Sequence, residues 1–336
     1  MAAEMSARTY GGAIRDGFAY LLGNYPEVFV IGQGLWSPWY VGNSMTNLDV
    51  EFGRNRVMES PVSELACTGA AVGAAIAGRR PIVVHPRMDF MVLAADQIVT
   101  QAAKWSSMFA GKVSAPVVIR AIVNRGGAQG AQHSQALHAW FAHVPGLRVV
   151  MPATPLDARD LLVSACLCGD PVLYIDDRWL YERTGTLAPK PDHDAIFKGP
   201  AVRVRGEDVT LVGAGHSAHL VEQAAAALAD EGVSAEAIDL RVVNPLDIGP
   251  VVASVQRTGR LVVVDGGWTT CGLAGEVIAS VVERLEPSAL HAAPRRITLQ
   301  DAPAPASQPL EALYYPTVGR IVQVAREALE AAPRAT

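Results

Sequence analysis

The sequence predicts an α/β protein made of two domains, each with a largely parallel sheet. Three observations carry that expectation. Short apolar runs of strand length alternate with longer stretches of helical periodicity along most of the chain, the order expected when helices cross over a parallel sheet. The run Pro81–His85 is continuous rather than alternating in hydrophobicity, as a strand covered on both faces requires. At 336 residues, 50% hydrophobic and 18% charged, the chain has room for about two domains of roughly 150 residues each. The boundaries expected are a first domain over 1–182, a linker over 183–206 and a second domain over 207–336. The linker is read from TLAPKPDHDAIFKGP, where proline, glycine and charge break the alternation.

Taken in order, Thr9 to Leu22 reads as an amphipathic helix with Tyr10, Ala13, Ile14, Gly17, Phe18 and Leu21 on one side. Val28–Ile31 is a short buried strand ending at Gly32-Gln33-Gly34, followed by a loop holding Trp36, Trp39 and Tyr40. Those aromatics suit either a pocket lining or burial beneath a neighbouring subunit. Met58–Pro81 is the stretch with the most unusual composition. Ser60 and Pro61 suit a helix start, and from Val62 to Ala77 nearly every residue is small or apolar, so a buried helix is expected. One acid, Glu64, lies in it. It admits two readings, a first-turn acid favoured by the helix dipole, or a buried acid set for proton transfer.

Pro81–His85 then leads into Pro86-Arg87-Met88-Asp89-Phe90, and Ala94–Ala103 resumes a helix. Pro116–Arg120 is the next strand. It feeds Asn124–Gln135, NRGGAQGAQHSQ, a polar, glycine-rich stretch with His133 near its end and a helix expected from Ser134 onward. Loops at the carboxyl ends of parallel strands are where such sheets place their chemistry, yet a lone histidine there equally suits a surface or capping position. His138 and His143 lack the i, i+4 spacing of helical metal ligands, so no metal site is expected. Leu147–Met151, Pro155–Cys168 and Pro171–Ile175 complete the first domain as strand, helix and strand. The second domain restarts at Val209–Val212 with Gly213-Ala214-Gly215. It continues through strands at Ala235–Leu240, Leu261–Val264 and Arg296–Leu299, and helices at Ile248–Arg257, Ala274–Leu285 and Val318–Leu329. Gly213-Ala214-Gly215 lacks the third glycine of a dinucleotide fingerprint, so no nucleotide site is assigned.

Composition narrows the function classes. The net charge of −5 and the absence of a basic run argue against nucleic acid as a partner. No apolar run reaches the roughly 18 residues of a membrane span, and the first residues do not read as a signal peptide. Cys67, Cys166, Cys168 and Cys271 form no C-x-x-C pair. Free thiols in a reducing, cytoplasmic setting are expected.

Several stretches together carry a resemblance: RVMESPVSELACTGAAVGAAIAGRRPIV, DQIVTQAAKW, AQHSQALHAWFAHVPGLRVVMPATPLDARDLL and AIDLRVVNPLD. The chain resembles, from about Thr9 to Leu329, the beta subunits of thiamine-diphosphate-dependent 2-oxoacid dehydrogenases of the pyruvate, branched-chain and acetoin type. The resemblance implies a pyrimidine-binding domain followed by a transketolase C-terminal-like domain. It also implies an alpha-type partner, in an alpha2-beta2 heterotetramer, that holds the cofactor's diphosphate and magnesium. The Gly-Asp-Gly and Asn-Asn signature of a diphosphate domain is nowhere in this sequence.

Carried over residue by residue, Glu64 matches the glutamate that hydrogen-bonds the aminopyrimidine ring. Protonating that ring favours the imino form, whose neutral nitrogen takes the proton from the thiazolium carbon. Phe90 matches the aromatic that packs on the pyrimidine. His133 matches the active-site histidine of the AQHSQ loop, suited to proton transfer or to stabilising developing charge. Two departures stand near substrate or cofactor: Gly32-Gln33-Gly34-Leu35 replaces Gly-Glu-Asp-Val, and Leu93 replaces the glutamine of pyruvate-type relatives. The activity implied is decarboxylation of a 2-oxo acid and acyl transfer to a lipoyl group on a partner acyltransferase. Two alternatives remain: a split transketolase or acyloin-type carboligase with an aldehyde or ketone acceptor, and a non-catalytic assembly subunit. Glu64, Phe90 and His133 together argue against the last.

Overall fold

The computed structural model describes residues 6–331. The signal-peptide reading falls partly on residues 1–5, outside that range. The described residues divide into two compact units, the first formed by 6–125 and Gln132–Lys198, the second by Gly126–Ala131 and 199–331.

The first unit runs β1 (Ser6–Thr9), α1 (Tyr10–Asn24), β2 (Val28–Gly32), β3 (Tyr40–Asn43), α2 (Leu48–Phe52), β4 (Val57–Glu59), α3 (Glu64–Ile76) and β5 (Arg80–His85). It continues with α4 (Met88–Met91), α5 (Ala103–Met108), β6 (Val118–Val123), α6 (His138–Ala142), β7 (Arg148–Val150), α7 (Pro155–Leu167), β8 (Val172–Asp177) and β9 (Thr184–Leu187). Its parallel strands lie in the order β7-β8-β6-β5-β2-β4. Helix starts follow local chemistry. Thr9 Oγ1 accepts the Gly12 N–H at the head of α1, and Thr154 Oγ1 accepts the Asp157 N–H ahead of Pro155 in α7. Gly17 lets α1 approach α7, since a methyl there would lie 3.3 Å from Leu162 Cδ2.

Beneath the sheet lies a fully buried ion pair. Arg120 on β6 donates from Nε and Nη2 to the two Asp176 oxygens on β8 at 2.9 and 2.8 Å. Arg120 Nη2 also reaches Ser44 Oγ and Tyr181 Oη, and the Tyr181 hydroxyl donates to Asp176 Oδ2 at 2.6 Å. Burial works against the guanidinium's charge, but Asp176 outweighs it and holds the pKa above its ordinary value.

The local differences from the sequence expectation have physical causes. The helix bearing Glu64 begins at Glu64 rather than at Pro61: the Ser60 N–H extends the pairing of β4 with β2 by donating to the Gly32 carbonyl, and the Ser63 N–H closes a tight turn on the Pro61 carbonyl ahead of the helix. It is not buried all round: Thr68, Ala71, Val72 and Ala75 are covered, whereas Leu65 is half exposed. The helix expected over Ala94–Ala103 lies within one continuous helical run over 88–108, whose pitch tightens to a 3-10 turn at Val92–Ala94 and widens to π-helical at Gln97–Ala102, both packed on α3. The chain from Ser134 stays irregular until α6. The stretch read as a linker is ordered: β9 pairs antiparallel with β1, and a 3-10 turn spans Ala195–Phe197.

The second unit contains β10 (Ala201–Val204), β11 (Val209–Gly213), α8 (His216–Ala229), β12 (Ala235–Asp239), β13 (Val242–Asn244), α9 (Gly249–Thr258) and β14 (Leu261–Trp268). It ends with α10 (Leu273–Val282), β15 (Arg295–Leu299), α11 (Gln308–Tyr314) and α12 (Val318–Glu330). Its sheet has the order β10-β12-β11-β14-β15, parallel except for β10. Gly213, the last residue of β11, serves packing, since a methyl there would lie 2.6 Å from the Ser217 backbone. Asp265 is a cap, accepting the Gly267 and Ala274 N–H groups at 2.8 and 3.1 Å. The Glu311 carboxylate of α11 accepts the Ala128 N–H at 2.9 Å.

Candidate active site

In the first unit, β6, β5, β2 and β4 are neighbours and parallel, so the loops after them leave the same edge of the sheet. The segments that follow these strands carry Glu64, Phe90, Leu93 and His133, to which the sequence points, and also Gln33. Gln33 follows β2, Glu64 follows β4, Phe90 and Leu93 follow β5, and His133 follows β6.

The β2 loop begins with a close approach. Gly32 is in register with Val84 of β5 and Glu59 of β4. A Cβ at Gly32 would lie 2.5 Å from the Val84 carbonyl oxygen, so glycine is what lets β2 lie this close to β5 at the edge. Glu59 then anchors the loop, accepting the backbone N–H groups of Gly34 and, at 3.3 Å, Trp36. The Trp36 indole N–H donates to the Val57 carbonyl at 2.8 Å, and Arg54 lies over its ring at 4.1 Å. So tethered, Gln33 donates from Nε2 to Glu64 Oε1 at 3.1 Å. Glu64 is 8% exposed and is the first residue of α3. The structure places this acid in the first turn of the helix, buried, with a neutral donor on one oxygen.

After β5, α4 carries Phe90, which is 40% exposed rather than hidden in the core. The His133 ring meets it edge to face, with centroids 5.3 Å apart and planes at 84°. The structure thus joins Phe90 and His133 directly, and Gln33 and Glu64 directly. Leu93 sits one turn beyond Phe90, 63% exposed, in the 3-10 turn packed on α3.

Three participants were not singled out from sequence. Gln33 was noted only as a departure. Asp89 is 8% exposed and accepts the Gln135 N–H on Oδ1 at 3.0 Å, and burial raises its carboxyl pKa. An acid immediately before the stacking aromatic was its only signal. His85 closes β5, buried at 3% exposure, with Nε2 3.2 Å from the Thr68 hydroxyl of α3. Burial lowers its pKa to about 4, so it is neutral at physiological pH. His138 is buried in α6. Among the described residues no three His, Cys, Asp or Glu side chains are grouped to hold a metal ion. Nor is any helix among them long and apolar enough to cross a membrane.

The first unit is thus a parallel α/β sheet whose carboxyl edge carries a buried acid, an exposed aromatic and a half-buried histidine. Residues 6–183 match the family model described as transketolase, pyrimidine binding domain, and residues 199–321 match transketolase, C-terminal domain. The chain is 43% identical to the acetoin:2,6-dichlorophenolindophenol oxidoreductase subunit beta of Cupriavidus necator, over 82% of this chain and 81% of that one. It is 36% identical to the pyruvate dehydrogenase E1 component subunit beta of Rhizobium meliloti, over 96% of this chain and 70% of that one. The fold matches a solved chain described as split gene transketolase, inactive beta4 tetramer, with a TM-score of 0.74 at 21% identity, covering 96% of this chain and 97% of that one. The chain belongs to the beta-subunit family of thiamine-diphosphate-dependent 2-oxoacid dehydrogenases, with the transketolase-like order of domains expected from its sequence.

Proposed function

We propose that this chain is the pyrimidine-binding half of a thiamine diphosphate enzyme that decarboxylates a 2-oxo acid and passes the acyl group to a lipoylated acyltransferase. The observation that carries the reading is the placement of Glu64, Phe90 and His133 in loops from neighbouring parallel strands at one sheet edge. Their donor set fits the group. Glu64 has one oxygen bonded to Gln33, which leaves the other for a ring nitrogen. Phe90 offers an accessible face for a flat heterocycle, and Leu93 offers apolar surface a turn away. When bound, the cofactor supplies the carbon nucleophile that attacks the oxo group. Glu64 would hold a proton at the pyrimidine ring, and Phe90 would fix the ring's plane. His133, half-buried beside Phe90, would hold or move a proton at the reacting oxygen.

The diphosphate and magnesium would be held by an alpha-type partner in an alpha2-beta2 assembly. A second reading has one specific observation in its favour. The relatives named for acetoin are 43% and 38% identical, while those named for pyruvate dehydrogenase are 35% to 37% identical. On that reading the substrate is an acyloin, a neutral hydroxyketone.

Co-expression with the alpha-type partner tests both. Carbon dioxide release coupled to dye reduction is expected with a 2-oxo acid; dye reduction with a hydroxyketone alone, or product only with an aldehyde acceptor, would replace that substrate assignment. Glu64→Gln should lower turnover by at least about a hundredfold, the scale of a lost proton-transfer group. Near-normal turnover would sink the role given to Glu64.

A further inference from the structure

The turn after β5 does more than present Phe90. It grips both ends of the glycine-rich stretch that carries His133. At the upstream end, Asn124 Nδ2 donates to the Pro86 carbonyl at 2.8 Å. At the downstream end, the Gln135 N–H donates to Asp89 Oδ1 at 3.0 Å, and the Leu137 N–H points to Met88 Sδ at 3.3 Å. Between these attachments the backbone takes positive φ at Gly126, Gly127, Ala128 and Gly130, so the stretch has no regular ladder of its own to hold it. The Asp89 side chain is nine-tenths buried, and its second oxygen, Oδ2, is buried without a hydrogen-bond partner among the described residues. A carboxyl with one oxygen committed to a backbone N–H and the other enclosed is not a solvated surface acid.

We propose that Asp89 is a positioning residue for His133. It is covalently next to Phe90 and hydrogen-bonded to the backbone two residues beyond His133, so it sets the Phe90–His133 contact from both sides. The inference rests on the role given to His133 above. What Asp89 must supply is an acceptor at the place of Oδ1; negative charge is not required there, and the burial that raises its carboxyl pKa disfavours charge. Asparagine keeps that acceptor, and alanine removes it. A residue that merely stabilised the fold would lower melting temperature and cofactor affinity together, whereas one that aims His133 changes turnover at constant cofactor affinity.

The test uses the pair reconstituted with its alpha-type partner, as wild type, Asp89→Asn and Asp89→Ala. In Asp89→Ala, exchange of the Gln135 amide should speed up by about tenfold or more. Its kcat should fall by about tenfold to a hundredfold, the scale of a misplaced catalytic group, with the Kd for thiamine diphosphate within about twofold of wild type. In Asp89→Asn all three should stay within about threefold of wild type. An unchanged Gln135 exchange rate in Asp89→Ala would overturn the clamp. A kcat loss matched by an equal loss of cofactor affinity, or an Asp89→Asn variant as impaired as Asp89→Ala, would overturn the positioning role. Amide exchange needs no cofactor, so a wild-type pair that fails to bind thiamine diphosphate defeats the proposed function and leaves the clamp to be decided by Gln135.

Discussion

His85 links the two elements that carry Glu64 and Phe90, and its protonation is the perturbation developed first. It closes β5, just ahead of the Phe90 turn, and its Nε2 meets the Thr68 hydroxyl one turn along α3 from Glu64. Burial lowers its pKa to about 4, against about 6.5 in an unfolded chain. Between those values the unfolded chain binds a proton that the native chain does not, so stability is full above about pH 6.5 and is lost as pH falls toward 4. At about 1.4 kcal/mol per pH unit, the step from pH 6.5 to 5 costs about 2 kcal/mol from this one group. The control is His85→Leu, which cannot titrate. It forfeits the Thr68 hydrogen bond at a cost of about 1–3 kcal/mol, but that cost does not change with pH. Five of the six tryptophans lie in the first unit, so urea unfolding followed by tryptophan fluorescence reports mainly on that unit. Between pH 7.5 and pH 5, wild type should lose about 2 kcal/mol more than His85→Leu. Equal losses, or a His85 ring that titrates near 6.5 by NMR, would refute the reasoning.

Other outcomes follow from the same geometry. Gln33→Ala removes the donor to Glu64 Oε1 and should weaken thiamine diphosphate binding by the reconstituted pair about 3- to 10-fold, read by isothermal calorimetry. Asp176→Ala strands the Arg120 guanidinium in a fully buried site and should cost about 3–5 kcal/mol, visible as a lower urea midpoint. Replacing both partners with apolar residues of similar volume should cost less than that, since no uncompensated charge is left.

The α/β class and the order of elements were legible because a parallel sheet writes itself as apolar runs such as Ile82-Val83-Val84. Glu64 stood out because one acid in an alanine-rich helix is chemically odd, and Phe90 and His133 were found through the family resemblance rather than through periodicity. Gln33 and Asp89 were harder to see. Each acts through one hydrogen bond to a residue 31 or 46 positions away, and no local pattern encodes such a pairing. The helix start at Glu64 is hidden for a similar reason: Ser60-Pro61 has good opening chemistry, but the chain there still continues the pairing with Gly32 of another strand and turns at Pro61–Ser63 before the helix begins. Burial of α3 was overestimated because composition says how apolar a helix is, not which of its faces this chain covers.

The close approach at Gly32 bears on how sequences of this kind are sorted into working and silent members. The positions usually inspected are the acid, the aromatic and the histidine. A chain could keep all three and carry alanine in place of Gly32. That methyl would press on the Val84 carbonyl, part β2 from β5 at the sheet edge, and swing the following glutamine off Glu64. The fold, resting on many other contacts, would persist. Inspection of the reactive side chains would pass such a chain as competent, so a residue with no side chain belongs among the first to be checked.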